Sequence, residues 1–177
     1  FTDLTATNRR VGIYPGGLTD GNTGYEGATN ISASPRVSTI GDAIACNVSW
    51  QGASAPFRST LMRYATDSSS ANGTQYTVGT IAATNTIVGI LRLIEIGGSG
   101  NNTLDVKIQS DTSGFSSPSD RLTFTQLNQG SGATHEVITA TGPAGSDNIW
   151  RVVVTIAGAG SRSFKFAVGF GYYVTSG

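Results

Sequence analysis

From position 150 to position 170 the chain reads WRVVVTIAGAGSRSFKFAVGF, and this stretch decides the fold class. Apolar side chains recur at every second position on both sides of a Gly-Ala-Gly turn, which is the period of a β-strand with one buried face. The apolar set is Trp150, Val152, Val154 and Ile156 before the turn and Phe164, Phe166, Val168 and Phe170 after it. The stretch therefore predicts two strands joined by a turn.

The same alternation extends to other parts of the chain. Residues 104–108 alternate in the same way, while residues 87–96 are apolar on both faces, which is typical of a central strand or of a strand under an oligomer contact. Shorter strands are predicted at 11–14, 44–50, 60–64, 75–78, 121–125 and 135–140. Because Gly-rich and Asn-rich turns separate them and no capped helical stripe occurs, the pattern favours an all-β fold, a β-sandwich or jelly roll.

Strand phase also predicts the core, because side chains at alternate positions of a strand point to the same face. The predicted core residues are Leu104, Val106, Ile108, Phe124, Trp150, Val152, Val154, Phe164, Phe166 and Val168.

The first 35 residues differ from the rest, since they are rich in Gly, Asn and Thr and show little alternation. We predict an extended N-terminal arm over residues 1–35 and a single β-sandwich domain over residues 36–177. Such an arm must lie across its own sandwich or reach a neighbour. Tyr14 and Tyr25 in the arm, with Tyr172 and Tyr173 near the C-terminal end, are the candidate assembly contacts.

Charge argues against several classes of partner. Lys and Arg total 11, as do Asp and Glu, and no basic run is longer than Arg9-Arg10, so nucleic-acid binding is disfavoured. No apolar stretch approaches the roughly 18 residues of a membrane helix, so we expect no membrane partner.

Cys46 is the single cysteine and cannot form an internal disulfide. A net charge near zero suits many copies packed side by side, which predicts a homo-oligomer.

Catalytic chemistry has few candidates. His135 is the single histidine and no G-x-S-x-G motif accompanies it, so a Ser or Cys nucleophile has no evident base. One His and one Cys also fall short of a zinc site. The acids available for a glycosidase pair are Asp105, Asp111, Asp120, Glu136 and Asp147, and the loop 111–120 could offer oxygens to calcium. We interpret these acids as turn caps and solvated side chains, and expect no catalytic residue, cofactor or metal.

A block of motifs over about residues 85–173 resembles a recurrent β-rich domain in virion proteins of tailed bacteriophages. The motifs are a Leu-Asp-Val strand at 104–106, Phe-Thr-Gln at 124–126, Arg-Val at 151–152 and Phe-Lys-Phe-Ala-Val at 164–168. The resemblance implies a non-catalytic structural protein located in the virion, at the phage particle surface. It favours a capsid decoration or cement protein, with a tail tube or spike component as the alternative. The implied partners are further copies of the chain and other virion proteins such as the major capsid protein.

The main rival from another class is a carbohydrate-binding β-sandwich module of a secreted or extracellular protein. The Asn-x-Ser/Thr triplets at Asn30, Asn47, Asn72 and Asn101 are compatible with it. This rival predicts a monomer with an exposed aromatic face, and a glycosidase ranks third.

Overall fold

The computed structural model of the chain describes residues 9–33, 49–52, 57–132, 134–143 and 145–174. These residues form thirteen strands in two antiparallel sheets and contain no helix. The predicted all-β class is confirmed, and the two sheets are consistent with a β-sandwich. Jelly-roll connectivity stays a prediction. Over the same described ranges, the chain has no helix capable of crossing a membrane.

The chain divides into two compact units. The smaller unit comprises Phe1–Ile13 and Tyr25–Arg58, and the larger comprises Tyr14–Gly24 and Ser59–Gly177. In the smaller unit, β1 (Arg9–Ile13) pairs with β2 (Thr23–Ala33), which belongs to this unit from Tyr25 onward, and β2 pairs with β3 (Ser49–Gly52).

The predicted arm over residues 1–35 thus contains two paired strands in its described part, and its assembly role stays a prediction. The strand predicted at 44–50 lies outside the described residues except where its last two positions overlap β3.

The first sheet of the larger unit has the strand order β4-β13-β7-β11. Its strands are β4 (Phe57–Asp67), β7 (Asn85–Gly98), β11 (Thr134–Thr141) and β13 (Arg162–Val174). β7 pairs with β13 on one side and with β11 on the other. Its residues from Ile87 to Leu91 are all buried, as expected for the strand predicted to be covered on both faces.

The second sheet has the strand order β10-β8-β12-β5, with two short strands at its margins. Its strands are β5 (Ala71–Asn72), β6 (Tyr76–Thr77), β8 (Thr103–Asp111), β9 (Ser119–Thr123), β10 (Leu127–Asn128) and β12 (Ile149–Ala157). β9 pairs with β8, and β6 pairs with β12. The alternation predicted for residues 104–108 and 150–156 is therefore that of the two central strands, β8 and β12.

The core lies between the two sheets. All ten predicted core residues are buried, so the phase assigned to each strand is confirmed. Gly89 of β7 faces core residues of the second sheet closely, since an added Cβ atom there would lie 2.9 Å from Leu122 Cδ1 and 3.0 Å from Phe124 Cζ. A side chain at this position would therefore displace core residues of the second sheet.

Asn102 links three turns at one end of the larger unit, and its side chain is fully buried. Its amide nitrogen lies 3.0 Å from the carbonyl oxygen of Ser99, 2.9 Å from that of Ser161 and 2.7 Å from Gln129 Oε1. These acceptors belong to three different turns, which follow β7, β10 and β12. The two N–H groups of a single amide are thus shared among acceptors in three connections.

Candidate functional site

Three consecutive exposed apolar residues end β13. The exposed fractions of Tyr172, Tyr173 and Val174 are 38%, 43% and 73%. They pair with the first residues of β7, so their backbone is part of the sheet. Because successive side chains of a strand point to opposite faces, apolar surface is present on both faces of the sheet here. We call Tyr172, Tyr173 and Val174 the C-terminal patch.

A second apolar site lies in the smaller unit. Tyr25 of β2 is 54% exposed and pairs directly with Ile13 of β1, which is 48% exposed. The sequence predicts Tyr25 as a contact residue but not Ile13, although the cross-strand partner of an exposed aromatic residue contributes to the same surface.

Tyr14, the other arm residue predicted to make assembly contacts, is half-buried and belongs to the larger unit. Its hydroxyl lies 3.3 Å from Ser59 Oγ, so part of its surface is used within the chain. Of the four predicted contact residues, Tyr172 and Tyr173 are consecutive in β13 and point to opposite faces of the sheet, Tyr25 pairs with Ile13, and Tyr14 is only partly exposed.

His135 lies near the start of β11 and is exposed. Its register partner is Arg92 of β7. Within the described residues, no hydrogen bond joins the imidazole to a hydroxyl group, which is the contact that a nucleophile and its base require.

Each of the five acids considered for hydrolysis accepts hydrogen bonds from neighbouring protein groups. The pairs are Asp105 with Gln126, Asp111 with the backbone of Thr112 and Ser117, Asp120 with Lys107 and Gln109, Glu136 with Thr125, and Asp147 with Arg121 and Ser110. Asp111 fits the turn-cap interpretation best, since its carboxylate holds the loop 112–118, and backbone donors, chiefly the N–H of Ser117, lower its pKa.

Asp147 forms the most enclosed of these contacts. Its carboxylate accepts hydrogen bonds from the Ser110 hydroxyl and from Arg121, whose Nη2 lies 2.7 Å away, and Arg121 Nε donates to Ser110 Oγ over 2.8 Å. Burial acts to raise the pKa of Asp147, but the Ser110 and Arg121 hydrogen bonds and the Arg121 charge outweigh it, so the pKa lies below its usual value. A carboxylate held in this way is a weak base, and the cluster is a structural brace between β8, β9 and the start of β12.

The outer face of the second sheet carries a row of polar contacts that the sequence pattern does not predict. Lys107 pairs with Asp120 at 2.6 Å, and Gln109 donates to Asp120 at 2.7 Å and accepts from Arg151 Nη2 at 2.9 Å. The ring of Phe115 lies over the Arg151 guanidinium, with 4.2 Å from the guanidinium carbon to the ring centroid.

Phe115 has a φ of 54°, and it is the one non-glycine residue with a positive φ among the described residues. This backbone conformation is unusual for a bulky side chain and is held by the loop that Asp111 caps. The guanidinium thus covers one face of the Phe115 ring.

No group of three or more His, Cys, Asp or Glu side chains among the described residues could hold a metal ion. Cys46 lies outside the described residues.

Comparison with known proteins assigns no family. No family model matches the sequence, and no curated protein matches it. The chain is similar to a solved structure described as "CBM4 structure and function", with 11% sequence identity and a TM-score of 0.35 over 96% of this chain and 87% of the other. A superposition this distant assigns no ligand and no activity.

Proposed function

We propose that the chain is a non-catalytic structural protein of a tailed bacteriophage virion, a capsid decoration protein that works by packing against copies of itself and against other virion proteins such as the major capsid protein. The observation that carries the proposal is the C-terminal patch. Three consecutive apolar residues are exposed there on a strand whose preceding residues, Phe166 to Gly171, are buried.

Exposed apolar surface of this kind is typical of a contact with another protein. Tyrosine in particular is enriched in protein interfaces, because it buries a large rigid ring while its hydroxyl stays hydrogen-bonded. The patch also lies on a paired strand, so its side chains lose little backbone freedom when a partner binds.

The virion setting is supported by the motif resemblance over about residues 85–173. That stretch includes the strands from β7 to β13, which form most of both sheets of the larger unit. A tail tube or spike location is the alternative.

The assembly state of the purified protein tests the proposal. We expect light scattering and electron microscopy to show a closed oligomer or a repeating lattice. The double variant Tyr172→Ser with Val174→Ser should lose or weaken this assembly. Ile94→Ser is the matched control, because Ile94 is an apolar residue of β7 that is 44% exposed but lies outside the patch.

A monomer at every concentration, with specific binding on a glycan array, would instead support the carbohydrate-binding module. An assembly that the patch variant leaves unchanged and the Ile94 variant disrupts would show that the contact surface is elsewhere.

A further inference from the structure

The outer edge of β12 is covered by one short stretch of chain. β12 lies between β8 on one side and the short strands β5 and β6 on the other. Both short strands belong to residues 70–79, whose sequence is SANGTQYTVG. We call residues 70–79 the edge segment. It forms two strands of only two residues each, and strands this short offer little free edge to a further strand.

The edge segment bonds the backbone of β12 along most of its length. Ala71 pairs with Val154, and Tyr76 pairs with Trp150. Between these two pairs, the backbone N–H of Gly73 donates to the carbonyl oxygen of Val152 over 2.7 Å. Since alternate residues of an antiparallel strand direct their backbone groups to the same side, these residues of β12 are the ones that a further strand would otherwise bind.

Ser70 continues this pattern with its side chain instead of its backbone. Its hydroxyl oxygen accepts the backbone N–H of Ile156 over 2.9 Å and lies 3.4 Å from the carbonyl oxygen of the same residue. Two residues paired in an antiparallel ladder exchange both of their backbone hydrogen bonds. A single hydroxyl group therefore takes both positions that the backbone of a paired strand residue would take opposite Ile156.

Arg162 places a positive charge at the same point of the edge. Its Nη1 atom lies 3.2 Å from the carbonyl oxygen of Ile156. Charged side chains are one of the features with which proteins prevent pairing at a sheet edge. A strand approaching Ile156 would therefore have to displace both the Ser70 hydroxyl and the Arg162 guanidinium.

We propose that the edge segment, completed by Ser70 and Arg162, protects the outer edge of β12 from pairing with a strand of another chain. β12 is nine residues long and contains the run Val152-Val153-Val154, so its exposed edge would be a strong template for pairing. The inference does not depend on the proposed function. For a protein whose copies meet at the C-terminal patch, it identifies a sheet edge that is excluded from those contacts.

Hydrogen exchange of the Ile156 amide tests the role of Ser70. Ser70→Ala removes the acceptor of this N–H group, so we expect its exchange rate to rise by at least about fivefold, the equivalent of one hydrogen bond. Ser70→Thr keeps a hydroxyl group at the position and should keep the wild-type rate. Ser69→Ala, an exposed serine one residue earlier, is the matched control and should also leave the rate unchanged.

The mass of the particles in solution tests the protective role. Ser70→Ala/Gly73→Pro removes the hydroxyl group and one backbone N–H of the edge segment, which uncovers Ile156 and Val152. In sedimentation velocity, we expect this variant to associate more strongly with rising concentration than its parent. Should circular dichroism show that the proline variant is unfolded, Ser70→Ala/Arg162→Ala gives the same comparison with Ile156 alone uncovered.

Both chains of each comparison also carry Tyr172→Ser and Val174→Ser, so association through the C-terminal patch does not contribute to the difference. Faster exchange at Ile156 together with stronger association supports the proposal. An unchanged exchange rate in Ser70→Ala would overturn the part assigned to Ser70. Faster exchange without any added association in the folded variant would show that β12 needs no protection, and would overturn the proposal whatever the outcome for the virion role.

Discussion

Trp150 and Phe170 stack in the interior of the larger unit, with ring centroids 4.5 Å apart and an interplanar angle of 28°. Trp150 belongs to β12 of the second sheet and Phe170 to β13 of the first, so this contact joins the two sheets directly. Both side chains are buried. The two strands that the sequence pattern identified first are therefore also the two that meet across the core.

Truncation of a core phenylalanine should be costly. Phe166 has no exposed surface, so Phe166→Ala should lower the free energy of unfolding by about 3–5 kcal/mol through lost burial and a residual cavity. Urea denaturation followed by circular dichroism measures this loss. Ile94→Ala, at an exposed position of β7, is the control and should cost much less. A loss well under 1 kcal/mol for Phe166→Ala would show that the strand phase is wrong.

Two glycines of the same strand should respond differently to alanine. At Gly89 the new methyl group would lie 2.9 Å from Leu122 and 3.0 Å from Phe124, so these core side chains would have to move. We expect Gly89→Ala to lower the free energy of unfolding by about 1–3 kcal/mol. At Gly97 the nearest atom would be Ser163 Cβ at 3.4 Å, an ordinary contact, so Gly97→Ala should be near neutral or slightly stabilising. Thermal denaturation of the two variants compares them, and equal melting temperatures would show that the sheets are not closely spaced at Gly89.

Asp147 should make stability depend on acid pH. The pKa of its carboxyl group is lower in the folded state than in the unfolded state, where it is about 3.9. The carboxylate therefore stabilises the fold fully at pH values above about 3.9, and this stabilisation is lost as the pH falls through the folded-state pKa. Asp147→Asn should remove this part of the pH dependence and cost about 1–3 kcal/mol at neutral pH, because the hydrogen-bonded charge pair is lost.

Chemical denaturation between pH 2 and pH 7 measures both effects of Asp147→Asn. Arg121→Gln and the Asp147→Asn/Arg121→Gln double variant complete a double-mutant cycle. The double variant should lose less free energy of unfolding than the sum of the losses in the two single variants. Additive costs would mean that the two side chains do not interact.

The N-terminal segment should contribute to stability as well as to any assembly. The Asp20 carboxylate accepts the backbone N–H of Tyr64, and the backbones of Gly21 and Asn22 exchange hydrogen bonds with Leu61 at 2.7 and 2.9 Å. Removing residues 1–24 should therefore destabilise the larger unit by about 3 kcal/mol more than removing residues 1–13, at roughly 1 kcal/mol for each bond. Tryptophan fluorescence during denaturation reports the difference. Equal stability of the two truncations would mean that residues 14–24 are dispensable for folding.

Sequence periodicity predicted the strands and the core well where one face of a strand is buried, because burial then forces alternation at positions such as Val106 and Val152. It failed for β2, since residues 23–33 mix Gly, Thr and Asn with few apolar side chains. It also missed the contacts of Arg151 with Phe115 and of Asp147 with Arg121. These contacts join residues far apart in sequence, and Phe115 and Asp147 lie in loops, whose positions strand periodicity does not predict.

The turns gathered around Asn102 make this end of the larger unit a poor insertion point for engineering. A peptide inserted into any of the three turns would have to preserve the carbonyl and amide acceptors of Ser99, Gln129 and Ser161, and a failure at one turn would loosen the other two. An epitope displayed on this scaffold should therefore avoid all three turns around Asn102.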